Sequence, residues 1–239
     1  MSGRLVVGVL LVGLGTGVAA AQTRLRANEI GASRRALEND VRARTAETDR
    51  LASQASSLRE AVSRARAQAL GTDQRGQQAA AQVAALELAS GTVAVRGPGL
   101  LVVLNDAPGA ADASAARGGQ AGEGRVYDRD IQDVVNALWS AGAEAISVND
   151  QRLTSQTAIR SAGEAILVDL RPLSPPYQLR AVGDVNTLEP AFVDSATARR
   201  FQTWTSLYGI GFQVHRAKDL RLPAAGSPDL RLARPGGAS

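Results

Sequence analysis

From Gln22 to Leu70 the chain runs without a proline and with one glycine, Gly31. No other feature constrains its fold as much. A stretch with no proline and a single glycine reads as one continuous helix. Placing heptad position d at Ile30, Leu37, Arg44, Leu51, Leu58 and Ala65 puts position a at Arg34, Val41, Thr48, Ala55, Val62 and Ala69. The seam is best defined at Leu37, Val41, Leu51, Leu58 and Val62, and is interrupted at Arg34, Arg44 and Thr48. This is the pattern of a frayed, parallel, dimeric coiled coil, so self-association is expected. The competing reading is a solitary polar helix that serves as a spacer.

Ahead of this stalk, Leu5 to Ala21 (LVVGVLLVGLGTGVAAA) is apolar or small throughout. At ~1.5 Å per residue such a helix reaches about 26 Å, close to the ~30 Å hydrocarbon core of a bilayer. It reads either as a retained transmembrane anchor or as a cleaved signal peptide, with Ala19-Ala20-Ala21 as the small-residue cleavage site. The unbroken helical pattern that follows favours the anchor. The expectation is a single-pass cell-membrane protein. Arg24, Arg26, Arg34 and Arg35 follow the segment and only Arg4 precedes it. The positive-inside rule alone would hold the stalk in the cytoplasm, but long segments translocate with little regard to their charge, and the expected orientation is the external one.

The chain has no cysteine, which excludes disulfides, thiolate nucleophiles and cysteine–zinc sites. A sequence pI near 10.2 invites a nucleic-acid reading. The excess, however, sits in the stalk: residues 22–70 carry ten Arg against six acidic groups, and residues 71–239 sixteen basic against seventeen acidic. With aromatics at only 3%, the folded part lacks the basic, aromatic-studded face of a nucleic-acid module, and no nucleic-acid partner is expected.

Residues 71–91 read as a linker with a short helix over Gln77–Ala89, and 92–222 as the folded domain. Within that domain LLVVL (100–104) is a buried-strand run and 107–124 a Gly/Ala/Ser-rich loop. Tyr127 to Gly142 is a helix, capped by Asp128, with Ile131, Val134, Val135, Leu138 and Trp139 as its apolar stripe. Strands follow at 144–148 and 164–170, then a proline-broken extension over 171–183. A helical region at 184–208 has Phe192, Phe201, Trp204 and Leu207 as core. A last strand covers 211–217, and residues 223–239 form an irregular tail. The order strand, helix, strand, strand, helix, strand implies an α+β domain of the ferredoxin-like, split βαβ kind with an antiparallel sheet.

SVNDQRLTS (147–155) is the most enzyme-like stretch, crowding Asn149, Asp150, Gln151, Arg152, Thr154 and Ser155 behind an apolar run. Asn149-Asp150 suits a turn, because both residues tolerate left-handed backbone. Beside it, Asn149, Arg152, Ser155, Arg160, Tyr177 and Arg180 are candidates for a ligand or partner surface, a groove for an anionic group flanked by arginines. Arg171 belongs to the same set of flanking arginines. His215, the only histidine, lies between Phe212 and Val214 in strand alternation and reads as a strand residue rather than a catalyst. Asp106, Asp128 and Asp130 lack calcium-loop spacing, and capping accounts for two of them. The glycines of GPGLL and ARGGQAGEG match no phosphate-binding loop. No catalytic, cofactor or metal residues are therefore assigned.

GPGLLVVLNDA (97–107), the block 127–184 with its NALW, QRLTS and SPPY segments, and GFQVHRAKDL (211–220) closely resemble the bacterial domain-of-unknown-function 881 family, also called YlxW-like. The resemblance covers roughly residues 77–235. It implies a membrane-tethered protein with its domain outside the cytoplasmic membrane, and brings no established reaction and no catalytic residues. On these grounds the chain is expected to be a non-enzymatic envelope scaffold or interaction module, with division or wall-related assemblies as its expected setting. The alternative is an extracytoplasmic ligand-binding or enzymatic domain with a groove over residues 149–177.

Overall fold

The computed structural model describes the backbone of residues 3–70, 74–110, 124–226 and 232; side chains before residue 35, and those of residues 38 and 70, are not described. Two compact units divide the chain, Met1–Leu58 and Arg59–Ser239. Helix α1 (Gly3–Leu70) begins in the first and ends in the second, with no break where the expected anchor would meet the stalk. Among the described residues no helix is long and apolar enough to cross a membrane. The transmembrane helix expected over residues 1–21 is corrected on that finding. The side chains of that segment lie outside the described residues.

In the second unit, α2 (Gln74–Ser90) ends at Gly91 in left-handed conformation, φ 73°. The domain that follows is α+β and antiparallel, but not the expected four-strand sheet. Five strands pair in the order β3-β2-β7-β1-β8: β1 Val95–Asn105, β2 Ala145–Val148, β3 Gln151–Arg152, β7 Tyr177–Val182 and β8 Gly211–Leu222. A separate sheet holds β4 (Ile159–Ala162), β5 (Ala165–Val168) and β6 (Arg171–Leu173). The segment 164–170, read as the third strand of the main sheet, belongs to this small sheet. The strand that pairs with β1 at this point of the main sheet is β7, in the segment that sequence reading placed in a proline-broken extension. The third strand of the expected order is corrected accordingly, from 164–170 to Tyr177–Val182. The expected loop over 107–124 falls largely outside the described residues.

Alternation explains how the main sheet is covered. Leu100, Val102 and Leu104 are fully buried, whereas Leu101 and Val103 are only partly so. LLVVL is thus a one-faced strand, not one buried on both sides. The inner face packs on α3 (Asp128–Ser140), α4 (Val185–Val193) and α5 (Ala196–Tyr208) through Ile131, Val134, Leu138, Leu188, Phe192 and Phe201. The single helical region expected over 184–208 splits at Ser195, whose hydroxyl oxygen accepts from Ala198 N–H at 3.1 Å and caps α5. The cap of α3 is also not the expected one. Tyr127 stands at its N-cap, and the Asp130 carboxylate reaches back to Tyr127 N–H at 2.9 Å. Burial raises the pKa of Asp130 above the ordinary carboxylate value, against the lowering effect of that hydrogen bond.

Where β1 crosses between its partners the ladder shifts register at Gly97/Gly99. A Cβ on Gly99 would sit 1.9 Å from the Ala181 carbonyl oxygen, so the backbones of β1 and β7 approach there in a way only glycine permits.

Candidate binding groove

The polar crowd at 147–155 is a hairpin. Asn149 and Asp150 both have positive φ, 42° and 64°, which is the geometry of a tight two-residue link between β2 and β3. The Asn149 side chain accepts from Gln178 N–H at 2.6 Å and donates to the carbonyls of Ser174 and Pro176 at 3.3 and 3.4 Å. It therefore straps the approach to β7 against the turn. Asp150 pairs with Arg180, which also donates to Gln178 Oε1 at 2.9 Å. Thr157 Oγ1 accepts from Thr154 N–H at 3.0 Å and donates to the Arg152 carbonyl at 3.3 Å. These groups hold one another in place.

The candidate surface residues do not converge. Tyr177 and Arg180 are three apart on one strand, so they lie on opposite faces of the sheet. Tyr177 is buried with the core, and its pKa is pushed up to about 12 by burial and by nearby Asp106. Arg180 is on the other face, opposite Ser147 of β2 and Leu101 of β1. Arg160 is exposed on β4, in the second sheet. Asn149 serves the turn. Among the described residues, Arg152 and Ser155 line one groove together, at the end of α2 rather than over 149–177.

That groove, of about 910 Å³, runs between the end of α2, the start of β1 and the segment after β3. Its apolar lining includes Leu88, Val95, Trp139, Leu153 and Val182; Arg152, Glu144 and Ser155 are among its polar groups. Trp139 is 40% exposed, although sequence reading placed it in the buried stripe of α3. A smaller cavity of about 320 Å³ shares Trp139, Leu153 and Thr154 with the groove and continues along α3 past Asn136.

Arg152 is 7% exposed. Its Nη1 reaches the Val93 carbonyl at a long 3.5 Å, and its Nε has no partner among the described residues. Beside it, Ser147 is fully buried and its Oγ also lacks a partner. The two are direct partners in the β2–β3 ladder and so share a face. Burial lowers the pKa of Arg152, but a guanidinium remains charged. The site therefore holds a desolvated cation with unmet hydrogen-bonding capacity.

The other candidates have ordinary settings. His215 is exposed on β8 with Nε2 3.2 Å from Gln213 Oε1, the contact of a strand-surface side chain. Asp106 accepts from Val126 N–H at 2.8 Å, and Asp130 serves the α3 cap. Among the described residues no group of three or more metal-ligating side chains is gathered.

The groove falls inside a region with recognisable relatives. A family model described as bacterial protein of unknown function (DUF881) matches residues 82–234, more than half of the chain. The chain belongs to this family. Over 219 residues it is 37% identical to the UPF0749 protein Rv1823 of Mycobacterium tuberculosis, spanning 90% of this chain and 71% of that relative. It is 35% identical over 101 residues to the UPF0749 protein YlxW of Bacillus subtilis, 42% of each chain. Among solved structures it is similar to an uncharacterized conserved protein from Mycobacterium tuberculosis, with a TM-score of 0.50, 30% identity, and 65% of this chain matched to 99% of that one. None of these similar proteins carries an activity in its name.

Proposed function

We propose that this DUF881 protein is a non-enzymatic scaffold that self-associates through the stalk portion of α1 and presents the α+β domain to partners. The observation that supports this is the state of the seam. Leu37, Val41, Leu51, Leu58 and Val62 are between 47% and 66% exposed on the single chain. Five large apolar side chains at heptad spacing on one helix are unfavourable in water and are buried when a second copy lies along them.

The absence of cysteine from the sequence gives a clean test. Position 51 is a d position, and Ser53, at f, points away from a parallel seam. A Leu51→Cys chain is expected to crosslink to a disulfide-bonded dimer under mild oxidation, and a Ser53→Cys chain is not. Equal crosslinking of both, or of neither, contradicts the seam.

A further inference from the structure

We propose that the groove at the end of α2 is a binding site for a small monocarboxylate with an apolar body, its carboxylate held by Arg152 and its body lying against Trp139. The site is independent of whether the stalk self-associates. Arg152 stands apart from the other arginines of its unit. Arg96, Arg125, Arg180, Arg200 and Arg216 each sit within ion-pair distance of a carboxylate. Among the described residues Arg152 is the arginine that is buried, and no carboxylate among them pairs with it. A desolvated cation without a counter-charge is costly, and an incoming anion relieves that cost.

The lining sets the charge and shape of the guest. The guanidinium fork matches the two oxygens of a carboxylate. Arg96, also on the lining, is already occupied by Asp219 through two hydrogen bonds of 3.1 and 2.8 Å. Glu144 lines the same groove and opposes a second negative charge. One anionic group is therefore matched and two are not. Leu88, Val95, Leu153 and the half-open face of Trp139 supply an apolar wall, and a groove of about 910 Å³ is of the size that takes a small organic ligand. The last α2 carbonyls do not compete for the guest's polar groups. Leu88 O and Glu87 O already accept from Gly91 N–H and Thr92 N–H, each at 3.1 Å.

The test is a titration of the full chain, read by thermal shift and by tryptophan fluorescence, with four probes. Hexanoate and N-acetyl-L-leucine carry the carboxylate; hexanamide and N-acetyl-L-leucinamide are their neutral counterparts. The acids are expected to saturate both signals, with the amides at least about tenfold weaker. Inorganic phosphate, charged but without an apolar body, is expected to give no saturable change. Arg152→Met fills the same space without charge, and is expected to unfold at or above the wild-type temperature while losing at least about tenfold in acid affinity. Acids and amides binding alike, phosphate binding as well as the acids, or no acid binding up to about 20 mM overturns the proposal. So does an Arg152→Met chain that binds the acids as wild type does. A fall in its melting temperature with no effect of the acids on wild type would make Arg152 a structural residue.

Discussion

Gly99 is the position where the backbone leaves least room. Gly99→Ala pushes a methyl into the Ala181 carbonyl, and neither strand can retreat without losing ladder bonds to its other neighbour. A loss of about 3 kcal/mol or more in urea unfolding is expected. Gly109→Ala is the control, because its Cβ meets nothing within 4 Å and only its φ of 78° resists; a cost of about 1 kcal/mol is expected there. Tyr177 gives a pH signature. Its folded pKa of about 12 lies above the ordinary 10.0, so the neutral phenol is what the fold stabilises. That contribution is complete below pH ~10 and is lost as pH rises towards ~12, by an amount of order 2 kcal/mol. Denaturant titrations across that window should show wild type losing stability relative to Tyr177→Phe; parallel curves would contradict the assignment. At this scale the sequence was readable where chemistry is local. Asn149-Asp150 announced its turn because both side chains tolerate positive φ. The pairing of Tyr177 with Arg180 in one groove failed because face depends on strand register, and the proline-rich 171–183 segment hid the strand that fixes it.

Elements were legible by period and less so by partner. The stripe of α3 at Ile131, Val134, Val135 and Leu138 is buried as expected, but Trp139 turns towards the groove and Leu207 of α5 lies exposed. Apolar periodicity marks a face and not the width of the surface that covers it. The apolar run within 164–170 forms a strand, yet nothing in its own residues says which sheet it joins. Phe192, Phe201 and Phe212, the chain's three phenylalanines, come from α4, α5 and β8. Phe201 stacks on Phe212 at 5.3 Å and meets Trp204 edge-on at 5.3 Å. This cluster joins the two last helices to the edge strand. Phe201→Ala is expected to cost about 3–5 kcal/mol in thermal or denaturant unfolding of the domain. A cost below 1 kcal/mol would mean the cluster does not tie these elements together.

For the whole molecule, the heptads of the stalk were visible from the start, but a heptad pattern does not say what lies along it. Helix α1 supplies the backbone and the exposed seam; the proposal of a parallel dimer supplies the partner. Sedimentation equilibrium of the full chain, compared with a Leu51→Asp/Leu58→Asp chain, tests this most directly. The double substitution places four like charges in adjacent layers of a dimer and leaves a single exposed helix almost unaffected. Wild type is expected to sediment as a dimer at tens of micromolar and the variant as a monomer, with thermal unfolding of the α+β domain unchanged. A wild-type chain that sediments as a monomer at that concentration contradicts the account.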